Sequence, residues 1–170
     1  MKNIWVISDT HWNHTNVIEY SNRPFSNSKE MDDYIVEKWN STVKPGDKVY
    51  HLGDVYFGNK PYIHDLLNKL HGQKRLVLGN HDDAKDKILQ KFFRKIVVWR
   101  MFPEFGLLLT HVPVHESSLY KTGRKGQPDF QLTNVHGHIH ERPSPSVFHR
   151  NVCVEQIDYT PINIEELRTR

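Results

Sequence analysis

The sequence predicts an α/β fold. Two observations carry this reading. Short apolar runs alternate with amphipathic segments from one end of the chain to the other. Most of the apolar runs are followed at once by Asp, His or Asn, often beside a glycine. The 170 residues suffice to bury a core as one domain spanning 1–170. With 37% hydrophobic and 25% charged residues, the composition excludes a disordered chain.

The elements follow in order. Asn3 to Ser8 reads as the first strand. Met31, Tyr34, Ile35, Trp39 and Val43 recur at spacings of three and four, which predicts a helix over 28–43. Asn27 followed by Glu30 offers a capping box, and Pro45-Gly46 ends the segment. Lys48 to Leu52 is the second strand. Ile63, Leu66, Leu67 and Leu70 mark a second helix, with Pro61 near its first turn and Gly72 past its end. Arg75 to Leu78 is the third strand, and Asp83 to Phe93 a third helix. Ile96 to Trp99, Gly106 to Thr110, Leu132 to His136 and the stretch around Val152 to Ile157 read as further strands, and Ile164 to Leu167 as a short helix. Val112 to Phe130 contains Gly123, Gly126 and Pro128 without periodicity, so it reads as a long loop of the kind used for lids and binding segments.

Some function classes drop out. No apolar run approaches the roughly 20 residues that span a bilayer. The start meets Asp9 too soon for a secretory signal, and Cys153 is alone, so no internal disulfide forms. A cytoplasmic location is the default expectation. The net charge of +3 permits an anionic substrate but gives no dense basic stripe for nucleic acid. Oligomeric state leaves no trace in the sequence.

The unusual feature is the content of twelve histidines and where they stand. The first strand is followed by Asp9-Thr10-His11, the second by Gly53-Asp54, and the third by Gly79-Asn80-His81-Asp82. A later strand leads into Thr110-His111, and the next into Gly137-His138-Ile139-His140. Strand ends at one edge of an open α/β sheet converge, and ligands bind there. In an extended segment residues i and i+2 share a side, so Asp9 with His11, and His138 with His140, can face one place. All these donors are oxygen or imidazole nitrogen, which suits Mn, Fe, Zn, Ni or Co. A single D-x-H or H-x-H is a chance occurrence or a structural pair. Five such groups in order, each after a strand, are not.

Together these motifs resemble the calcineurin-like metallophosphoesterase superfamily, in all of its motif blocks and across residues 9–140. The resemblance implies a sandwich of two mixed β-sheets flanked by helices, in a small bacterial or phage-type member. It implies two divalent ions, manganese first, with iron, zinc, nickel or cobalt as alternatives. Asp9, His11 and His140 would bind one ion, Asn80, His111 and His138 the other, and Asp54 would bridge them. A hydroxide bridging the ions would attack phosphorus, and His81 would protonate the leaving oxygen. Asp82 could orient His81 or cap the following helix. The partner is then a phosphate ester, preferably a diester and plausibly nucleotide-derived, with Trp12 and Tyr56 near the motifs as stacking candidates. A monoesterase, a nuclease on the same site and a catalytically silent metal-binding scaffold are the alternatives. His14, Arg23, Lys121, Arg124 and Lys125 are candidate substrate contacts, each weighed against ordinary surface charge. His51 and His136 read as structural.

Overall fold

The computed structural model describes residues 3–123 and 129–168. Strands β1 (Ile4–Ile7), β2 (Lys48–His51), β3 (Gln73–Val77) and β4 (Ile96–Val97) run parallel, and β11 (Ile162–Asn163) closes the far edge antiparallel to β1, in the order β11-β1-β2-β3-β4. A second mixed sheet has the order β10-β9-β6-β5, built from β5 (Trp99–Phe102), β6 (Leu107–Thr110), β9 (Thr133–His136) and β10 (His149–Asn151). Here β6, β9 and β10 are parallel and β5 is antiparallel to β6.

Alternation along the strands decides what each face touches. Val6, Tyr50 and Val77 point into the space between the sheets and meet Phe102, Leu107, Leu109 and Val135 of the second sheet. Ile7, Val49 and Leu76 point the other way and pack against helices. Those helices are α1 (Asn16–Tyr20), α2 (Ser28–Thr42), α3 (Lys60–Lys69) and α4 (Lys87–Phe92). Met31, Ile35 and Trp39 of α2 and Ile63, Leu66 and Leu67 of α3 supply the buried stripes that the spacing predicted. The expected sandwich is therefore present, with its helices packed on the first sheet.

Some boundaries differ from the sequence reading. The Asn27 side chain caps α2 by accepting from Glu30 N, but Glu30 reaches back to Ser26 N, so the box closes one residue early. The third predicted helix starts only at Lys87, because Asp86 caps it through Ile88 N and Leu89 N. The apolar run Ile96 to Trp99 is split: Val97 ends a strand of one sheet and Trp99 begins a strand of the other. Around Val152 to Ile157 the chain forms a 3-10 turn, Val154–Gln156, after β10 has ended. Within Val112 to Phe130 the described residues include a 3-10 turn, Glu116–Ser118, and β7 (Tyr120–Lys121), which pairs with β8 (Phe130–Gln131).

Lys74 shows how burial tunes stability. It sits on β3, nearly excluded from solvent, and its ammonium donates to the Leu70 and Gly72 carbonyls. Burial holds its pKa down at about 8, against 10.5 for the free side chain. The folded state gives up this proton first as pH rises, so this residue's contribution to stability climbs between about pH 8 and pH 10.5. The climb is on the order of 3 kcal/mol. Lys74→Met is expected to flatten it. Urea midpoints measured from pH 7.5 to 10.5 isolate the residue as the difference between variant and parent, and parallel profiles would contradict the assignment.

Candidate metal centre

Five loops meet at the carboxyl ends of β1, β2 and β3 in one sheet and β6 and β9 in the other. Backbone hydrogen bonds lash them together. Asp9 N donates to Gly53 O at 3.0 Å, His11 N to Asp54 O at 3.1 Å and Gly137 N to His111 O at 2.8 Å. A bridge between Ser8 and Cys153 ties the end of β1 to the chain leaving β10. The motif residues share a site, though not through extended alternation. Asp9, His11, Asp54, His138 and His140 all have positive φ, from 50° to 70°. That region costs a non-glycine residue on the order of 1–3 kcal/mol, and such strain gathers at functional sites.

In the first cluster, ligand atoms of Asp9, His11 and His140 lie within 4.8 Å of one another. Asp9 Oδ2 is fully engaged, accepting from the Ser8 hydroxyl, His138 N and the Cys153 thiol. Among the described residues Asp9 Oδ1 has no hydrogen-bond partner, and neither has His11 Nε2, 3.8 Å away, although both are buried. His140 Nδ1–H donates to Glu155 Oε1 at 2.9 Å, which leaves Nε2 with its lone pair 3.9 Å from Asp9 Oδ1.

The second cluster repeats the arrangement with Asp54, His111 and His138. His111 Nδ1–H donates to Leu52 O at 2.8 Å, so its Nε2 offers a lone pair, 2.8 Å from Asn80 Oδ1 and 3.2 Å from His138 Nδ1. Asp54 Oδ2 stands between the clusters, 3.7 Å from His11 Nε2 and 3.5 Å from His111 Nε2. Its other oxygen accepts from His81 N at 3.0 Å. Orphaned buried donors and acceptors are costly. Two groups of carboxylate oxygen and imidazole nitrogen, held with their lone pairs converging, fit divalent cations and include no thiolate.

The family model described as the calcineurin-like phosphoesterase superfamily domain matches residues 1–157. The chain belongs to this superfamily. An uncharacterized protein of Methanocaldococcus jannaschii is 36% identical over 97% of this chain and 89% of its own length. The Gene 66 protein of Mycobacterium phage L5 is 31% identical over 92% of this chain and 85% of its own. The crystal structure of a protein of unknown function from Aquifex aeolicus matches with a TM-score of 0.75 at 27% identity, covering 98% of both chains. The superfamily hydrolyses phosphate esters with divalent metal ions, and this reaction class extends to the present phosphoesterase.

Several expectations about its individual residues change. Asp82 accepts from Asp54 N, Val55 N and Gly79 N, with no hydrogen bond to the His81 ring among the described residues. It pins the β2 and β3 loops, and the helix cap is Asp86 instead. Those loops touch so closely that a Cβ on Gly79 would overlap Asp54 Oδ1, and the loops after β1 and β9 are as tight, since a Cβ on Gly137 would overlap Asp9 Oδ2. Arg23 is no solvent-facing phosphate contact. Its buried guanidinium donates to Asp9 O at 2.7 Å and Thr10 O at 3.0 Å, and lies 2.7 Å from Glu155.

Trp12 is fully buried and offers no stacking face, whereas Tyr56 is half-buried, with its hydroxyl donating to Asp86 and its side chain lining a cleft beside His81. His14 does reach the site, stacked on Phe57 and lining a cavity with His11, His81, His140 and Arg142. Arg124 and Lys125 lie outside the described residues. His51 and His136 are buried and hydrogen-bonded, to Thr10 and Gly53 N and to Gly137 O respectively. The residues that sequence reasoning missed are Ser8, Cys153 and Glu155. None carries a motif, and each acts only through Asp9 or His140. Among the described residues no helix is long and apolar enough to cross a membrane.

Proposed function

We propose that this phosphoesterase is a phosphodiesterase working with two divalent ions, manganese first. Asp9, His11 and His140 hold one, Asn80, His111 and His138 the other, and Asp54 is shared. The observation that carries the reading is Asp54 Oδ2, set within 3.7 Å of an imidazole nitrogen from each cluster. When bound, the two ions supply Lewis acidity that lowers the pKa of water and offsets charge on the phosphoryl oxygens.

The chain's own residues do the rest. Arg23 and Glu155 fix the orientation of Asp9 and His140. Asp82 and the Asp54 carboxylate fix the turn that carries Asn80 and His81. The His81 ring faces the cavity, 6.1 Å from the His11 ring and 5.1 Å from that of Phe57. From there Nδ1–H or Nε2–H can donate a proton to a leaving oxygen. A diester is favoured because open cavities of about 630 and 610 Å³ adjoin the first and second clusters respectively, with room for a substituent at each.

The test compares bis(p-nitrophenyl) phosphate with p-nitrophenyl phosphate. The protein is stripped of metal and then given Mn, Ni, Zn or Mg singly, with His81→Ala alongside. Metal-dependent turnover that favours the diester is expected, falling about 10²- to 10⁴-fold in the variant. Two bound ions without turnover of either ester would overturn the reading.

A further inference from the structure

The two cavities differ in chemistry. One is lined by His11, His14, Phe57, His81, His140 and Arg142, and is rich in imidazole. The other runs along the outer face of the second sheet and shares Asn80 and His111 with the second cluster. Strand parity places Trp99, Met101, Leu108 and Thr110 there, since Leu107 and Leu109 point inward. With no helix among the described residues to cover it, that face keeps Trp99 58% exposed, Val98 71% and Val112 43%. Lys121 stands in the same cleft. Thr110 Oγ1 is already spent, donating to Val112 O and accepting from Asn134 Nδ2. The cleft thus offers apolar faces and almost no hydrogen-bond pattern to read. Its volume of about 610 Å³ is that of a small-molecule site.

We infer that this apolar cleft seats the substituent that remains on phosphorus, a flat apolar group against Trp99, while the leaving group occupies the His81 cavity. The inference rests on the phosphodiesterase reading and adds a direction to it. His81 lines the imidazole cavity and not the apolar one, so the oxygen it protonates lies on that side. Water's oxygen forms the new bond to phosphorus and its proton passes to solvent. The bond from phosphorus to the leaving oxygen breaks with its electron pair, and the His81 proton goes to that oxygen. The products are an alcohol and a phosphate monoester that still carries the group in the cleft. Contact between this cleft and Asn80 and His111 argues for substrate over a second protein chain, which would block the second cluster.

The test holds the leaving group constant and changes only what stays on phosphorus. The manganese-loaded protein is given p-nitrophenyl phenylphosphonate and p-nitrophenyl methylphosphonate. A preference for the phenyl compound of about tenfold or more in kcat/KM is expected, from burial of one ring. Trp99→Ala, and separately Val112→Asp, are expected to bring that ratio close to one, with unfolding curves checking that both variants are folded. Equal rates in the parent protein, or a ratio that survives both substitutions, would overturn the inference and leave the phosphodiesterase reading standing. Hydrolysis of neither phosphonate by a preparation that turns over bis(p-nitrophenyl) phosphate would overturn the inference alone, and hydrolysis of none of the three would overturn both. Sedimentation supplies a further arm: a parent dimer that falls apart in Trp99→Ala would mean that a second copy fills the cleft, and would also overturn the inference.

Discussion

Asp54→Asn is expected to lower kcat/KM for phosphate esters by about a thousandfold, the several kcal/mol of transition-state stabilisation that a metal pair supplies. It is also expected to release metal chiefly from the second cluster. The substitution keeps shape and removes charge. Its amide oxygen can still accept from His81 N, so the turn carrying Asn80 and His81 stays in place. What goes is the anion between His11 Nε2 and His111 Nε2. The first cluster keeps Asp9, whereas the second is left with His111, His138 and Asn80, all neutral donors. Metal content by mass spectrometry, taken with steady-state kinetics on one preparation, checks this. Activity within tenfold of the parent, with full metal content, would show that the centre is not organised around Asp54.

The features legible in the sequence are those in which local pattern and tertiary role coincide. Val6 with Ile7 and Leu76 with Val77 are apolar at consecutive positions because the first sheet is buried on both faces, so β1 and the end of β3 nearest the site read as apolar runs. Met31, Ile35 and Trp39 recur at helical spacing because α2 has one buried face. The motif histidines and aspartates stand out because they follow those runs directly. Where pattern and role separate, the reading fails. Nothing in Ile96 to Trp99 marks the change of sheet at Val98. Helix α1 spans five residues and buries only Val17, too little for a periodicity. The pairing of Asp9 with His11 was expected from extended geometry but arises from left-handed backbone at both residues, which no spacing rule reveals.

Arg23 is the sharpest such case, and it carries the largest stability effect expected here. In the sequence it is one basic residue among many. In the fold it joins the β1 loop to Glu155, which lies 132 residues further along the chain. Glu155 in turn accepts from His140. Burial pushes the Glu155 carboxyl up, but the His140 hydrogen bond and the Arg23 guanidinium outweigh it and hold the group below its ordinary range. The ion pair therefore stabilises the fold at neutral pH, and this contribution is lost as pH falls through the acidic range.

Arg23→Met keeps the apolar stem and leaves Glu155, among the described residues, with the His140 Nδ1–H and no cation beside it. A loss of about 3–5 kcal/mol is expected from unfolding in urea at pH 7. Glu155→Gln added to Arg23→Met is expected to return part of it, because the stranded charge is gone. A purely structural role would stop there. Arg23 also holds Asp9 O and, through Glu155, the His140 ring. Affinity for metal at the first cluster should then fall about 10- to 100-fold in the folded variant. Were stability to drop while metal affinity held, Arg23 would be a packing residue that happens to lie beneath the site.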